Sequence, residues 1–344
     1  MPQKLNVLFL PHALQSKELF TPWGEDVVAA IGNRHHLRIY DFAQPPAAQF
    51  DGVDVVIDHG GSHRSHDLAD AAAGKIKLWQ ILGTGVDHFP LDYWRAKGIP
   101  VANTPGPFSA VSLAECAMMF ILMLTRKYPV AKANLEQGIL YGPLGRELVG
   151  LRLGIIGFGA SGQALALRAA AFGMKIAAID IRDVREAEME EFRLEFAGKP
   201  ADLDHVIATS DVVSLHLHLT KETYHLIDHR RLALMKPTAF LINVARGALV
   251  DEEALVQALV EGKIAGAGID VYSQEPPDLQ SPLFHLPNVI TTPHSAGVTD
   301  GTSRKRAGAC AENVDRIAAG LEPLYLVSVP EVLPISTNEL PYRH

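Results

Sequence analysis

The 344-residue sequence predicts an α/β protein with two parallel sheets, the second interrupting the first, and three observations lead there. The first is a glycine-rich turn set between two short apolar runs. Leu153-Gly154-Ile155-Ile156 suits a buried strand, Gly157-Phe158-Gly159-Ala160-Ser161-Gly162 follows, and an alanine-rich helical stretch leads to a second run, Lys175 to Asp180. The second is a pair of strand–helix series, one on each side of a proline-rich break, the pattern of parallel sheets with crossover helices. The third is a pair of long helical stretches that bracket the second series, as expected where a chain leaves one domain and returns to it.

Each element follows in order. Strands are expected at Lys4–Leu10, Leu37–Asp41, Val53–Asp58, Ile76–Leu82 and Ile99–Ala102, with helices near Glu18–Ile31, Ser65–Ala73 and Pro90–Lys97. Pro105-Gly106-Pro107 breaks the pattern as a hinge, and an apolar helix follows over about Ser109–Lys127. The second series has six strands: Arg152–Ile156, Lys175–Asp180, Asp211–His216, Thr238–Val244, Ile264–Val271 and Asn288–Thr292. Helices between them lie near Ala160–Phe172, Arg182–Phe192, Ala201–Thr209, Asp228–Leu234 and Asp251–Glu261, and a last long helix near Asp300–Ala319. The expected architecture is a Rossmann-type doubly wound sheet, residues 106–295, inserted into a smaller flavodoxin-like domain, residues 1–105 with 296–344.

Composition narrows the setting. A net charge of −8 without a basic cluster argues against nucleic acid or an anionic membrane as partner. No apolar run approaches a membrane span, and the start carries no secretory pattern. Cys116 and Cys310 read as buried free thiols, so the expected location is cytoplasmic.

Ligands of an open parallel sheet bind beyond the carboxyl ends of its strands. Gly157 permits the tight turn, Gly159 lets backbone approach a pyrophosphate, and Gly162 brings helix close to strand. The helix N-terminus offers unpaired N–H groups to the phosphates. Asp180, ending the second strand, can accept from both hydroxyls of an adenosine ribose and repels a 2′-phosphate, which favours NAD over NADP. Arg182, two positions on, softens that preference. His216, Arg246, Glu275 and His294 follow the next four strands, so all fall on the same edge. A histidine can supply the proton that a carbonyl oxygen needs when hydride arrives. A carboxylate on its other ring nitrogen, here Glu275, orients the ring and favours its charged form. Arg246 can hold a substrate carboxylate through its planar fork. This points to oxidation and reduction of a carboxylate-bearing alcohol.

At these residues the sequence resembles the D-isomer-specific 2-hydroxyacid dehydrogenase family. The matching segments are Gly154–Gly159, Asn243–Gly247, Gly268–Pro276 and Thr292–Gly297, with further matches at Gly83–Asp87 and Ala114-Glu115. The resemblance implies an NAD-dependent oxidoreductase acting on a small 2-keto acid/D-2-hydroxy acid pair. Its catalytic trio would be Arg246, Glu275 and His294, and Thr84-Gly85 would cradle the substrate carboxylate. Candidate cofactor contacts are the Gly157, Phe158, Gly159, Ala160, Ser161, Gly162 loop, Asp180, His216, Ala245 and Asp270. His294 serves cofactor and substrate alike, and Asp270 is expected near the nicotinamide amide. The resemblance also implies a homodimer formed through Ala117–Gly145. Glu275 argues against a formate dehydrogenase. A different class, an NAD(H)-sensing corepressor-like protein of the same fold, would have no need of the trio. No metal is expected: His59, His63 and His66 lack partner acids at firm ligand spacing, so a solvated loop is the first reading. His59 and His12 each follow a strand and are alternatively placed to shape a substrate pocket.

Overall fold

The structure, a computed structural model, describes residues 3–12, 17–59, 66–87 and 89–327. In chain order the elements are β1 (Asn6–Leu10), α1 (Lys17–Ile31), β2 (His36–Ile39), α2 (Pro46–Gln49), β3 (Val55–Asp58), α3 (His66–Ala72), β4 (Leu78–Ile81), α4 (Leu91–Ala96) and β5 (Val101–Ala102). Then come α5 (Ala110–Thr125), α6 (Tyr128–Glu136), β6 (Arg152–Ile156), α7 (Ala160–Ala171), β7 (Lys175–Ile179), α8 (Glu186–Glu191), β8 (Leu194–Gly198), α9 (Leu203–Thr209) and β9 (Val212–Leu215). The chain ends its described course with α10 (His229–Leu234), β10 (Phe240–Asn243), α11 (Glu252–Val260), β11 (Gly266–Ile269), β12 (Val289–Thr291) and α12 (Asp300–Ala318).

Among the described residues, one compact unit runs to Phe108 and resumes at Thr299, and the other is Ser109–Val298. These boundaries lie three residues downstream of those expected at 105 and 295. Phe108 stays with the first unit because its ring packs edge-on to Tyr325 at 5.6 Å. Thr299 belongs there because its side chain caps α12 by accepting from the Thr302 N–H.

The first unit is a five-stranded parallel sheet of order β2-β1-β3-β4-β5, the flavodoxin-like order. Side chains alternate across it. Val7 and Phe9 of β1 join Val55 and Ile57 of β3 under Val27 of α1 and Cys310 and Val314 of α12. Leu8, Leu10, Val56 and Trp79 face the other way, against Leu68 of α3 and Trp94 of α4. Beyond α12 the Val327 N–H donates to the Val101 carbonyl at 2.8 Å, so the returning chain adds to the β5 edge.

The second unit carries a parallel sheet of order β12-β11-β10-β9-β6-β7-β8. Seven strands replace the six expected. The extra one, β8, sits at the sheet edge with an irregular register against β7 and an exposed Glu195, so it lacks the apolar run of a central strand. Helix α6 was not expected either, because Pro129 stands in its first turn and no residue of it is buried, which removes the apolar period. Helix α8 begins at Glu186 rather than Arg182. Helix α5 lies directly on β11: a Cβ on Gly268 would stand 2.6 Å from the Phe120 side chain. Cys310 is fully buried, whereas Cys116 is only half-buried, and both are free thiols.

Candidate active site

Because every strand of the second sheet is parallel, their carboxyl ends share one edge, and strand order becomes an order of chemical groups. From β7 to β12 that edge carries Asp180, Gly157, His216, Arg246, Glu275 and His294 in turn. Gly157 has φ +96°, and a Cβ there would meet the His216 carbonyl oxygen at 2.5 Å. A Cβ on Gly162 would meet the Gly157 carbonyl at 2.3 Å, so α7 starts hard against the turn. A Cβ on Gly159 would meet nothing within 4 Å. Gly159 is also the N-cap of α7 and supplies no side-chain cap. An open approach above uncapped helix N–H groups fits the pyrophosphate of a dinucleotide.

Asp180 braces this turn. One carboxylate oxygen accepts from the Phe158 N–H at 2.7 Å and the other from the Arg182 N–H at 2.9 Å, and each keeps a lone pair for a ribose hydroxyl. Beside it Ile181 is 85% exposed, an apolar side chain next to Asp180 that sequence reasoning passed over. His216 is held from both sides, with Nδ1 3.0 Å from Ser161 Oγ and Nε2 2.9 Å from Ser214 Oγ. Burial pushes its pKa down to about 4, so the ring is neutral.

At the other end Arg246, Glu275 and His294 converge. His294 Nδ1 lies 2.7 Å from Glu275 Oε2, and Glu275 Oε1 accepts from the Tyr272 N–H at 3.1 Å. Burial raises the Glu275 pKa, but the His294 ring, the Tyr272 N–H and the Arg246 guanidinium together outweigh it, and the carboxyl titrates below its ordinary range. With Nδ1 committed to Glu275, Nε2 is the ring position left for proton exchange. The His294 backbone is left-handed at φ +53°, an uncommon state for a side-chain-bearing residue. Asp270 maintains it. This fully buried carboxylate accepts from Thr292 Oγ1 at 2.5 Å and from the Ser295 and Ala296 N–H groups at 2.7 and 2.9 Å. Its pKa is raised by burial despite these bonds. Asp270 therefore ties down the loop that presents His294, a role the expected contact with a nicotinamide amide did not include.

Arg246 is positioned by its own turn. Asn243 Nδ2 donates to the Arg246 carbonyl at 2.8 Å, Asn243 Oδ1 accepts from the Ala245 N–H at 3.1 Å, and Arg246 Nη1 donates to the Ala245 carbonyl at 2.8 Å. Gly247 then passes so close to the next loop that a Cβ would stand 1.9 Å from the Tyr272 carbonyl carbon. Tyr272 also donates its hydroxyl to the Thr292 carbonyl at 2.8 Å. Gly247, Tyr272 and Thr292 thus lock three loops together. None was expected in that role, although a glycine directly after the arginine was a readable sign of close approach.

In the first unit the loop after β4 is held at both faces. The Thr84 carbonyl accepts from Asn103 Nδ2 at 2.7 Å, and Thr84 Oγ1 accepts from Arg306 Nη2 at 3.0 Å. His59 is not solvated, contrary to the first reading. It is 6% exposed and stacks on Trp23 at 5.3 Å and 21°, with His12 edge-on at 6.1 Å. His66 stacks separately on Tyr93 at 3.8 Å, and His63 lies outside the described residues. Among the described residues no group of three or more His, Cys, Asp or Glu is arranged to hold a metal ion, and no helix is long and apolar enough to cross a membrane.

Residues 118–296 match the family model described as the NAD binding domain of D-isomer specific 2-hydroxyacid dehydrogenases. The chain is 40% identical over 265 residues to a glyoxylate reductase of Thermococcus litoralis, covering 74% of this chain and 78% of that protein. It is 38% identical over 261 residues to a hydroxypyruvate reductase of Thermotoga maritima, covering 74% and 81%. Its fold superposes with a TM-score of 0.74 on a D-lactate dehydrogenase from Aquifex aeolicus solved with NAD and lactic acid, at 30% identity over 92% of this chain and 96% of that one. With the glycine turn and the Arg/Glu/His edge in place, these likenesses show that the chain belongs to the NAD-dependent D-isomer specific 2-hydroxyacid dehydrogenase family.

Proposed function

We propose that the protein interconverts a small 2-keto acid and its D-2-hydroxy acid, with His294 as general acid/base, Glu275 as its partner and Arg246 as holder of the substrate carboxylate. The observation that carries this reading is the 2.7 Å contact between His294 and Glu275, with the Arg246 charge acting on the same carboxylate. NAD, when bound, would supply the hydride chemistry, as acceptor when oxidised and as donor when reduced. In the reducing direction the doubly protonated His294 ring gives its Nε2 proton to the carbonyl oxygen, and Glu275 stabilises the ring before that transfer. In oxidation neutral Nε2 takes the hydroxyl proton. Arg246 neutralises the carboxylate and polarises the neighbouring carbonyl. Thr84 and Gly85 are read as a second hold on the carboxylate, supported by the rigid bracing of their loop. The glycine turn and Asp180 bind the pyrophosphate and adenosine ribose, Ser161 and His216 shape the cleft beneath, and Ala245 and Asp270 border the nicotinamide end.

Two free thiols support a reducing, cytoplasmic setting. A homodimer through Ala117–Gly145 is supported by the exposed apolar side chains there, Tyr141 at 104% among them.

NADH oxidation across a panel of 2-keto acids, with His294→Ala as control, tests the reading. At least one acid should be reduced, and the variant, assayed at saturating NADH, should lose on the order of 10²–10⁴ in rate. Full activity in that variant overturns the proton-transfer assignment. Tight NADH binding with no keto acid reduced would instead favour a nucleotide sensor.

A further inference from the structure

Arg182 and Glu188 flank the adenosine end of the nucleotide site and take no part in hydride transfer. Arg182 stands two residues beyond Asp180, where a guanidinium is close enough to attract a phosphate on the ribose 2′ position. That fork is already engaged. Nη1 donates to Glu188 Oε2 at 3.0 Å and to the Asp183 carbonyl at 3.2 Å. Nη2 lies 3.0 Å from Glu188 Oε1 and donates to the Phe158 carbonyl of the glycine turn at 3.0 Å. The guanidinium also lies over the Phe158 ring, 5.9 Å from its centre. The carboxylate that holds it is only 7% exposed and accepts from Arg185 Nε and the Arg185 N–H, each at 3.0 Å. Gln163 Nε2 approaches from α7 at 3.4 Å. One buried carboxylate therefore gathers two arginines, and the two hold its pKa down at about 2.

The Arg182–Glu188 pair is bidentate and charge-assisted, and its carboxylate side is buried although the Arg182 side chain is 39% exposed, so opening it takes two strong bonds from Glu188 and leaves that carboxylate to Arg185 alone. A phosphate on the 2′ hydroxyl would meet Asp180 first and find the nearest guanidinium already taken. We propose that Glu188 is a specificity-determining residue, which favours NAD over NADP by holding Arg182 against the glycine turn. Asp180 then acts on the 2′ position without an opposing guanidinium from Arg182. This rests on the dinucleotide reading of the site and adds a residue that acts through Arg182. Arg182 does not soften the preference while the latch is closed.

Equilibrium titration of the full chain with NADH and NADPH, followed by nucleotide fluorescence, tests it without reliance on turnover. Glu188→Gln keeps the side-chain volume and removes the charge. It should lower the ratio Kd(NADPH)/Kd(NADH) roughly tenfold, the scale of one new charge-assisted contact. Arg182→Met placed on Glu188→Gln should restore the native ratio, and Arg182→Met alone should leave it unchanged. A ratio within about twofold of native in Glu188→Gln overturns the proposal. So does an equal fall in the double variant, which would make Glu188 itself the repelling charge. If Glu188→Gln does not fold, Arg182→Met decides: a selective loss of NADPH binding would show that Arg182 already reads the phosphate. Native protein that binds neither nucleotide would refute the cofactor assignment instead, a distinguishable result.

Discussion

Gly247→Ala is the sharpest perturbation the geometry offers. A Cβ there would stand 1.9 Å from the Tyr272 carbonyl carbon, 2.0 Å from its oxygen and 2.5 Å from the Ser273 nitrogen. Ordinary contact begins at 3.4 Å, so the two backbones must part by about 1.5 Å (3.4 less 1.9). Neither side is free to yield. The Tyr272 N–H is bound to Glu275 and its hydroxyl to the Thr292 carbonyl, and Ser273 donates from N and Oγ to Glu252 Oε2 at 3.1 and 2.9 Å. Separation therefore moves Arg246 away from Glu275 or drags the His294 loop. A misplacement of ~1 Å at reacting groups costs on the order of 10² in rate. Overpacking of this kind costs about 1–3 kcal/mol in stability. We expect kcat/KM for the keto acid to fall roughly 10²-fold, with a melting temperature lower by several degrees. NADH affinity should hold, because the glycine turn belongs to another strand end. The assays are steady-state NADH oxidation, thermal unfolding and nucleotide titration. A variant with kcat/KM within about threefold of native and an unchanged melting temperature would refute the argument that this contact aligns the site.

Two further outcomes follow from the titrating groups. The Glu275 carboxyl titrates below its ordinary range, so its pairing contributes above the unfolded pKa of ~4.3 and is lost as pH falls through the lowered native value. Glu275→Gln should remove this acid-side dependence of stability, measured by denaturant unfolding at a series of pH values; an unchanged dependence would exclude the pairing as its source. His59 is pushed down to about 3, first by burial and then by the charges of His12 and Arg306. Its neutral form contributes stability above the unfolded pKa of ~6.5, and that contribution is lost progressively as pH falls toward the native value. His59→Phe keeps a ring stacked on Trp23 and should flatten the stability–pH curve across that window, measured by denaturant unfolding; an unchanged slope would sink the idea.

The sequence by itself determined whatever depends on near neighbours. The turn from β6 into α7 was legible because each glycine answers a local demand, for positive φ or for close approach of backbone. The placing of Arg246, Glu275 and His294 on one edge was legible too, because parallel strands put all carboxyl ends together whatever the packing details. The edge strand β8 and helix α6 were not legible, since neither carries the apolar period that a buried face imposes. Only the tertiary structure decided which side chains meet. Asp270 closes the His294 loop across twenty-five residues, to the Ser295 N–H. His59 lies under Trp23 rather than in water. Arg182 is held by Glu188 because α8 starts four residues later than its pattern suggested, which leaves the arginine in an extended turn that folds back onto the helix. Sequence pattern specifies which face of an element is apolar, whereas the partner of a buried charge is chosen by how those faces pack.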